Sequence, residues 1–222
     1  MEQVLRHGPE GHDPRVLIVP PLFEEANRLR RTLVQTMRAL GDWGVPSLLP
    51  DLPGQNESLV PTVAVNLDLW RTVLADVVAA EAGPVLIASL RGGALIDNGL
   101  DAAGWWRLAP VPGANLLRTM LRARVASDRE AGVESSIDDL IGTAGHSPLL
   151  LAGNLLSPAM IEQLQEAVPV ETDPLCTVAL GSGPSDVAGS PLWLRAEPGE
   201  DAKMAAAMAE SIYGWMCACG LR

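Results

Sequence analysis

The word with the most chemical content in this sequence is Ser89-Leu90-Arg91-Gly92-Gly93, which closes the apolar run "VLIASL". A buried strand that turns sharply into a helix is the setting of a nucleophile elbow, where G-x-S-x-G lifts a serine onto a tight turn. Here the nucleophile's place holds Arg91, and a guanidinium cannot attack a carbonyl. Ser89 lies two residues upstream and has no glycine at its own +2 position, so it is expected to point into the strand. A serine nucleophile also needs a base, and the base an orienting acid, in the chain order nucleophile, acid, histidine. Asp186 in "GSGPSD" fits the acid's place, while "LRAEPGED", where the histidine belongs, holds none. His7 and His12 precede the first clear strand and read as solvated, and His146 lies in a polar central stretch from which it would have to swing over the elbow. Ser89, Asp186 and His146 are therefore the only catalytic candidates, and they do not complete a triad.

An arginine on the elbow has electrostatic requirements of its own. The positive end of a helix dipole disfavours a cation there by ~0.3–1 kcal/mol. Burying a guanidinium without a partner costs on the order of several kcal/mol more. Arg91 therefore calls for an anion. Glu24 and Glu25, just after the first parallel strand, are one source. A ligand carboxylate or phosphate, gripped by the guanidinium and neighbouring amides, is the other. The candidate binding residues are Arg91, Gly92, Glu24, Glu25 and Asn27. Arg28, Arg30 and Arg31 in the same segment read as a solvated helix face.

No other chemistry stands out. H-E-x-x-H, C-x-x-C and EF-hand patterns are missing, and "RGGALIDNG" is neither a P-loop nor G-x-G-x-x-G, so neither metal nor cofactor is expected. Cys176, Cys217 and Cys219 form no disulfide framework and suit a reducing compartment. A net charge of −11 repels nucleic acid and anionic membrane surfaces. "MEQVLRHGPEGHDP" lacks the pattern of a signal peptide, and no apolar run reaches the ~18 residues of a membrane span. The expectation is a cytoplasmic protein.

These residues must be positioned by regular elements. "RVLIVPP", "VPSLLPDLPG", "GPVLIASL", "WWRLAPV", "LCTVALGSG" and "SPLWLRAEPG" read as six strands. Helical spacing marks "ANRLRRTLVQTMRALGDWG", residues 67–82, a short helix in "RGGALIDNGL", residues 113–132, a helix from Ser157 to Ala167, and residues 201–219. "PLLLAGNLL" reads as one short strand, and residues 133–147 as polar and aperiodic. Strands alternating with helices predict an α/β fold, with a mostly parallel sheet of about six strands and helices on both faces. The chain reads as one domain, residues 1–222, with 133–174 as a lid over the carboxyl ends of the strands.

The order strand, sharp turn, helix, lid, strand resembles the α/β-hydrolase fold. "PPLFEEANRLRR", "LLPDLPGQNES", "SLRGGAL", "RLAPVPGANLLRTMLRARVASDREAG", "LLLAGNLLSPAMIEQL" and "PLWLRAEPGEDA" are similar, in that order, to segments of the exosortase A system-associated hydrolases, type 2. That bacterial family is associated with exopolysaccharide and protein-sorting loci, and its elbow also tends to carry arginine. The likeness covers nearly the whole chain and departs in the short N-terminal segment. It implies an α/β-hydrolase-type domain in an exopolysaccharide or exosortase context. With the residues above, the expected function is a catalytically degenerate hydrolase homologue that binds an acyl or anionic small molecule, or a protein partner or second copy. The alternative is an active ester or thioester hydrolase with a non-standard nucleophile.

Overall fold

The structure is a computed structural model that describes residues 2–11, 14–56, 58–183, 186–195 and 197–222, so His12 lies outside the described residues. Its centre is a six-stranded sheet built from β1 (Val4–His7), β2 (Arg15–Val19), β3 (Ser47–Pro50), β4 (Val85–Leu90), β5 (Gly104–Leu108) and β8 (Leu175–Val178), in the order β1-β3-β2-β4-β5-β8. Only β1 runs antiparallel, pairing with β3 at the edge. It is tied down by Arg6, which donates to Glu81 at 2.7 Å beside the Arg15–Glu81 pair.

Both faces of the sheet are covered, which is why β4 is apolar and buried throughout rather than alternating. Its Ile87 joins one core, while Leu86, Ala88 and Leu90 join the other. The second of these cores packs against α1 (Glu24–Asp42) and α6 (Ala202–Ala218). The first packs against α2 (Leu67–Ala79), α3 (Gly113–Glu130), α4 (Ile137–Ala144) and α5 (Pro158–Glu166). The last three, with a hairpin of β6 (Leu149–Leu151) and β7 (Asn154–Leu156), form the insert between β5 and β8.

Four elements differ from the sequence expectation. The described residues of "SPLWLRAEPG" form no strand but a 3-10 turn, Leu192–Leu194. Pro191 and Pro198 flank it, and their missing N–H groups work against a ladder. The helix expected after the elbow is only a 3-10 turn, Arg91–Leu95, since adjacent glycines at 92 and 93 weaken helix propagation. "PLLLAGNLL" is two strands, because Ala152 and Gly153 both take positive φ, the geometry of a tight hairpin turn. The polar stretch 133–147 contains α4, whose N-cap Ser136 accepts from the Asp139 N–H at 3.1 Å.

Asp201 caps α6, accepting from the Met204 N–H at 3.0 Å and from the N–H and hydroxyl of Ser190 at 3.2 Å. The Met204 amide foremost, helped by the Ser190 groups, outweighs desolvation and holds the Asp201 carboxyl below the usual aspartate range. Asp201→Ala is expected to destabilise the fold by ~1 kcal/mol at neutral pH, the usual worth of such a cap. A depressed folded-state pKa means that this stabilisation exists above the unfolded-state value and is lost as pH falls through the folded one. The gap in melting temperature between wild type and Asp201→Ala should therefore be full at neutral pH and narrow under acid conditions.

Candidate functional site

The site lies where β4 ends. Arg91 follows Leu90 directly and takes φ 53, a left-handed conformation that costs a bulky side chain on the order of 1 kcal/mol or more. Glycines let the turn press into its surroundings. A Cβ on Gly93 would lie 2.6 Å from the Pro20 carbonyl oxygen, and one on Gly92 would lie 2.5 Å from Leu116 Cδ1 of α3. The elbow is thus held against the end of β2 on one side and against α3 on the other. Phe23, at φ 58 before α1, and Ala109, at φ 45 directly after β5, share this conformation, as do Asn56 and Ala152 elsewhere among the described residues. Backbone strain of this kind concentrates at functional sites.

The guanidinium of Arg91 meets a carboxylate side-on. Its Nε and one terminal nitrogen donate to the two oxygens of Glu25, each at 3.2 Å, and the other terminal nitrogen donates to the Ala109 carbonyl at 3.3 Å. Trp193 covers it, with the ring centroid 4.7 Å from Arg91 Cζ, a cation–π contact. The Arg91 side chain is 17% exposed and that of Glu25 is 8% exposed, so the pair is largely desolvated. Burial pushes the Glu25 carboxyl above its usual range, and Arg91 pulls in the opposite direction. Glu25 belongs to the first turn of α1 rather than to a loop, and it, not Glu24, takes the arginine. The turn after Arg91 is five residues long, so the unfavourable dipole expected from a full helix is small here.

The other arginines of this segment are engaged rather than simply solvated. Arg28 donates to the Trp193 carbonyl at 2.7 Å, Arg30 pairs with Asp51 at 2.7 Å, and Arg31 pairs with Glu200 at 2.5 Å. Asn27 is exposed on α1 and does not reach the arginine.

The three catalytic candidates are not brought together. Ser89 is fully buried in β4, opposite Arg107 in the register. Its hydroxyl lies beside the Asp97 carboxylate but outside hydrogen-bonding geometry. Asp186 folds back on its own turn, accepting from the Gly183 N–H at 2.9 Å. His146 is exposed just after α4, and its N–H donates to the Thr143 carbonyl. Among the described residues no histidine hydrogen-bonds to Ser89 or Asp186. Nor do the described residues hold a cluster of potential metal ligands.

Beneath the elbow lies a pair that sequence reasoning missed. Arg107 of β5 donates to both oxygens of Asp97, at 2.9 and 2.6 Å, with 3% and 0% of the two side chains exposed. A third nitrogen of Arg107 reaches the Val170 carbonyl at 2.7 Å, and the Trp105 indole donates to the Asp97 carbonyl at 2.9 Å. The available signal was a charge inside each of two apolar words, "GWWRL" and "ALIDNG". Such charges are buried only when paired.

No protein-family model and no curated protein matches the sequence. Solved structures do match the fold. Est1E from Butyrivibrio proteoclasticus is 16% identical with a TM-score of 0.58, over 99% of this chain and 94% of that one. A second structure of Est1E, with ferulic acid bound, is 16% identical with a TM-score of 0.56, over 81% and 74%. The α/β hydrolase domain-containing protein 10 from mouse is 14% identical with a TM-score of 0.54, over 79% and 71%. Together with the sheet order and the elbow, these likenesses establish the α/β-hydrolase fold. None of the helices described is long and apolar enough to cross a membrane.

Asp97→Asn leaves the buried Arg107 without its counter-charge and is expected to cost ~3–5 kcal/mol, read by chemical denaturation. Arg91→Ala strands Glu25 in a slightly wetter place and is expected to cost about 2–3 kcal/mol. Arg91→Met combined with Glu25→Gln removes both charges and should recover much of that loss. A double variant no more stable than Arg91→Ala would mean that the charge pair is not what holds the elbow.

Proposed function

We propose that this chain is a catalytically degenerate α/β-hydrolase-fold protein whose elbow binds rather than cleaves. Its ligand is an acyl or other anionic small molecule, or an acidic group of a partner protein, whose carboxylate or phosphate takes the place that Glu25 holds. One observation carries this reading: the strained elbow position presents a guanidinium, backed by the Trp193 ring and met side-on by a carboxylate. Both bonds to Glu25, at 3.2 Å, are longer than the ~2.7–2.9 Å usual for charge-assisted pairs, and in this reading an incoming anion displaces Glu25. Hydrolysis lacks support at the same place. The turn offers no nucleophile, Ser89 is sealed in the sheet, and no imidazole meets it among the described residues. The exopolysaccharide and exosortase context rests on the family resemblance of the elbow, lid and C-terminal words, and it argues for a cytoplasmic, bacterial binding role.

Two measurements test the reading. A serine-reactive fluorophosphonate probe is expected to leave the protein unlabelled. Labelling that disappears in Ser89→Ala would establish the alternative, an active ester or thioester hydrolase. Titration calorimetry with octanoate and with inorganic phosphate should show one of them binding, and Arg91→Gln should weaken that binding by roughly tenfold or more, as expected for losing a charged contact. Binding that is indifferent to Arg91→Gln, or no binding of either anion, defeats the proposal.

A further inference from the structure

We infer that the outer face of the α1–α6 layer, on the side of the sheet away from the lid, is a twofold interface between two copies of this chain. Three observations lead there. Trp43, at the end of α1, is 43% exposed and rests edge-on against Tyr213 of α6, with ring centroids 5.5 Å apart. Together with Glu210 and Gly214 these two rings line a shallow groove. Next, Gly214 lies inside α6, where glycine costs ~1 kcal/mol relative to alanine. A Cβ there would meet nothing within 4 Å, so no contact inside the chain calls for a glycine. A bare patch of helix does make sense where another surface approaches closely. Finally, Arg38 of α1 and Glu210 of α6 are both exposed, and among the described residues neither has a hydrogen bond or ion pair.

The arrangement of these features selects a second copy as the occupant. The two helices run side by side in the same direction, since Thr36 donates to the Ala205 carbonyl at 3.3 Å while Trp43 reaches Tyr213, about two turns further along both helices. Arg38 and Glu210 therefore lie within one turn of the same height, as do Trp43 and Gly214. Helix α1 supplies the projecting ring and the cation, whereas α6 supplies the recess and the anion. A twofold axis parallel to the helices lays α1 of each copy over α6 of the other and keeps those heights. Trp43 then faces Gly214 and Arg38 faces Glu210, twice over. That is the self-complementarity an isologous contact requires.

Sedimentation equilibrium of the full chain tests this directly. The expected species is a dimer, twice the 23.5 kDa of one copy. Glu210→Arg sets like charges against each other at two symmetric points and should weaken dimerisation on the order of tenfold or more. Arg38→Glu alone should do the same, and the two substitutions together should restore it. Trp43→Ala should weaken the dimer as well. Arg38 and Glu210 are exposed and free of partners among the described residues, so melting temperatures of their variants at low protein concentration should barely move, which separates lost contact from lost fold. A wild-type chain that stays monomeric up to about 100 µM, far above a micromolar contact, overturns the proposal. So does a dimer indifferent to Glu210→Arg and Arg38→Glu, or a double variant that does not recover.

Discussion

A carboxylate and a guanidinium sealed inside the protein hold the site region together. Asp97 and Arg107 meet through two hydrogen bonds with almost no exposure, and each carries a further attachment. Arg107 grips the carbonyl of Val170 at the end of the insert, and the Asp97 carbonyl receives the Trp105 indole. The segment leaving the elbow, the fourth parallel strand in space and the return from the insert are thereby locked to one point. Burying such a pair need not add net stability, but removing half of it is severe, so the geometry above it is strongly constrained. A strained turn persists only where its surroundings over-determine it, and here they do.

On that foundation sits a strained turn whose first residue is an arginine. Arg91 takes the left-handed φ, yet its side chain is drawn sideways to Glu25 and Trp193. The turn that follows is too short for a helix dipole of any size, and Leu22 and Leu116 crowd Gly92. Electrostatic stabilisation by helix amides, which the fold ordinarily offers at this point, is therefore much reduced. What the turn presents is a guanidinium held by Glu25, the Ala109 carbonyl and the Trp193 ring.

How far this was legible in the sequence depended on how local the physics was. The end of β4 could be read because a run of apolar residues broken only by Ser89 stops at Arg-Gly-Gly, and α1 and α6 because their apolar residues recur at helical spacing. The 3-10 turn at Leu192–Leu194 could not, since three apolar residues between prolines suit a short strand equally well. That Glu25 rather than Glu24 takes Arg91 depends on the phase of α1, which begins earlier than its apolar spacing suggests. Asp97 and Arg107 were invisible as a pair, because their meeting is set by the register of β4 and β5 and the turn between them. Trp193 reaches the site from more than a hundred residues away, through a loop with no periodic signal.

The two walls of the site differ in kind. On one side Leu116, Leu117, Met120, Leu121 and α5 residues such as Met160 and Leu164 belong to the continuous core, so this insert is a fixed wall rather than a hinged cover. On the other, the turn bearing Trp193 combines burial of Leu192 and Trp193 in the second core with polar contacts: Arg28 to the Trp193 carbonyl, Arg31 and Gln35 to Glu200, and Ser190 to Asp201. Water can replace the polar contacts at little cost, but it cannot replace the burial of Leu192. The ring over Arg91 is therefore anchored twice, by its own burial in the core and by Arg28 of α1, the same helix that carries Glu25.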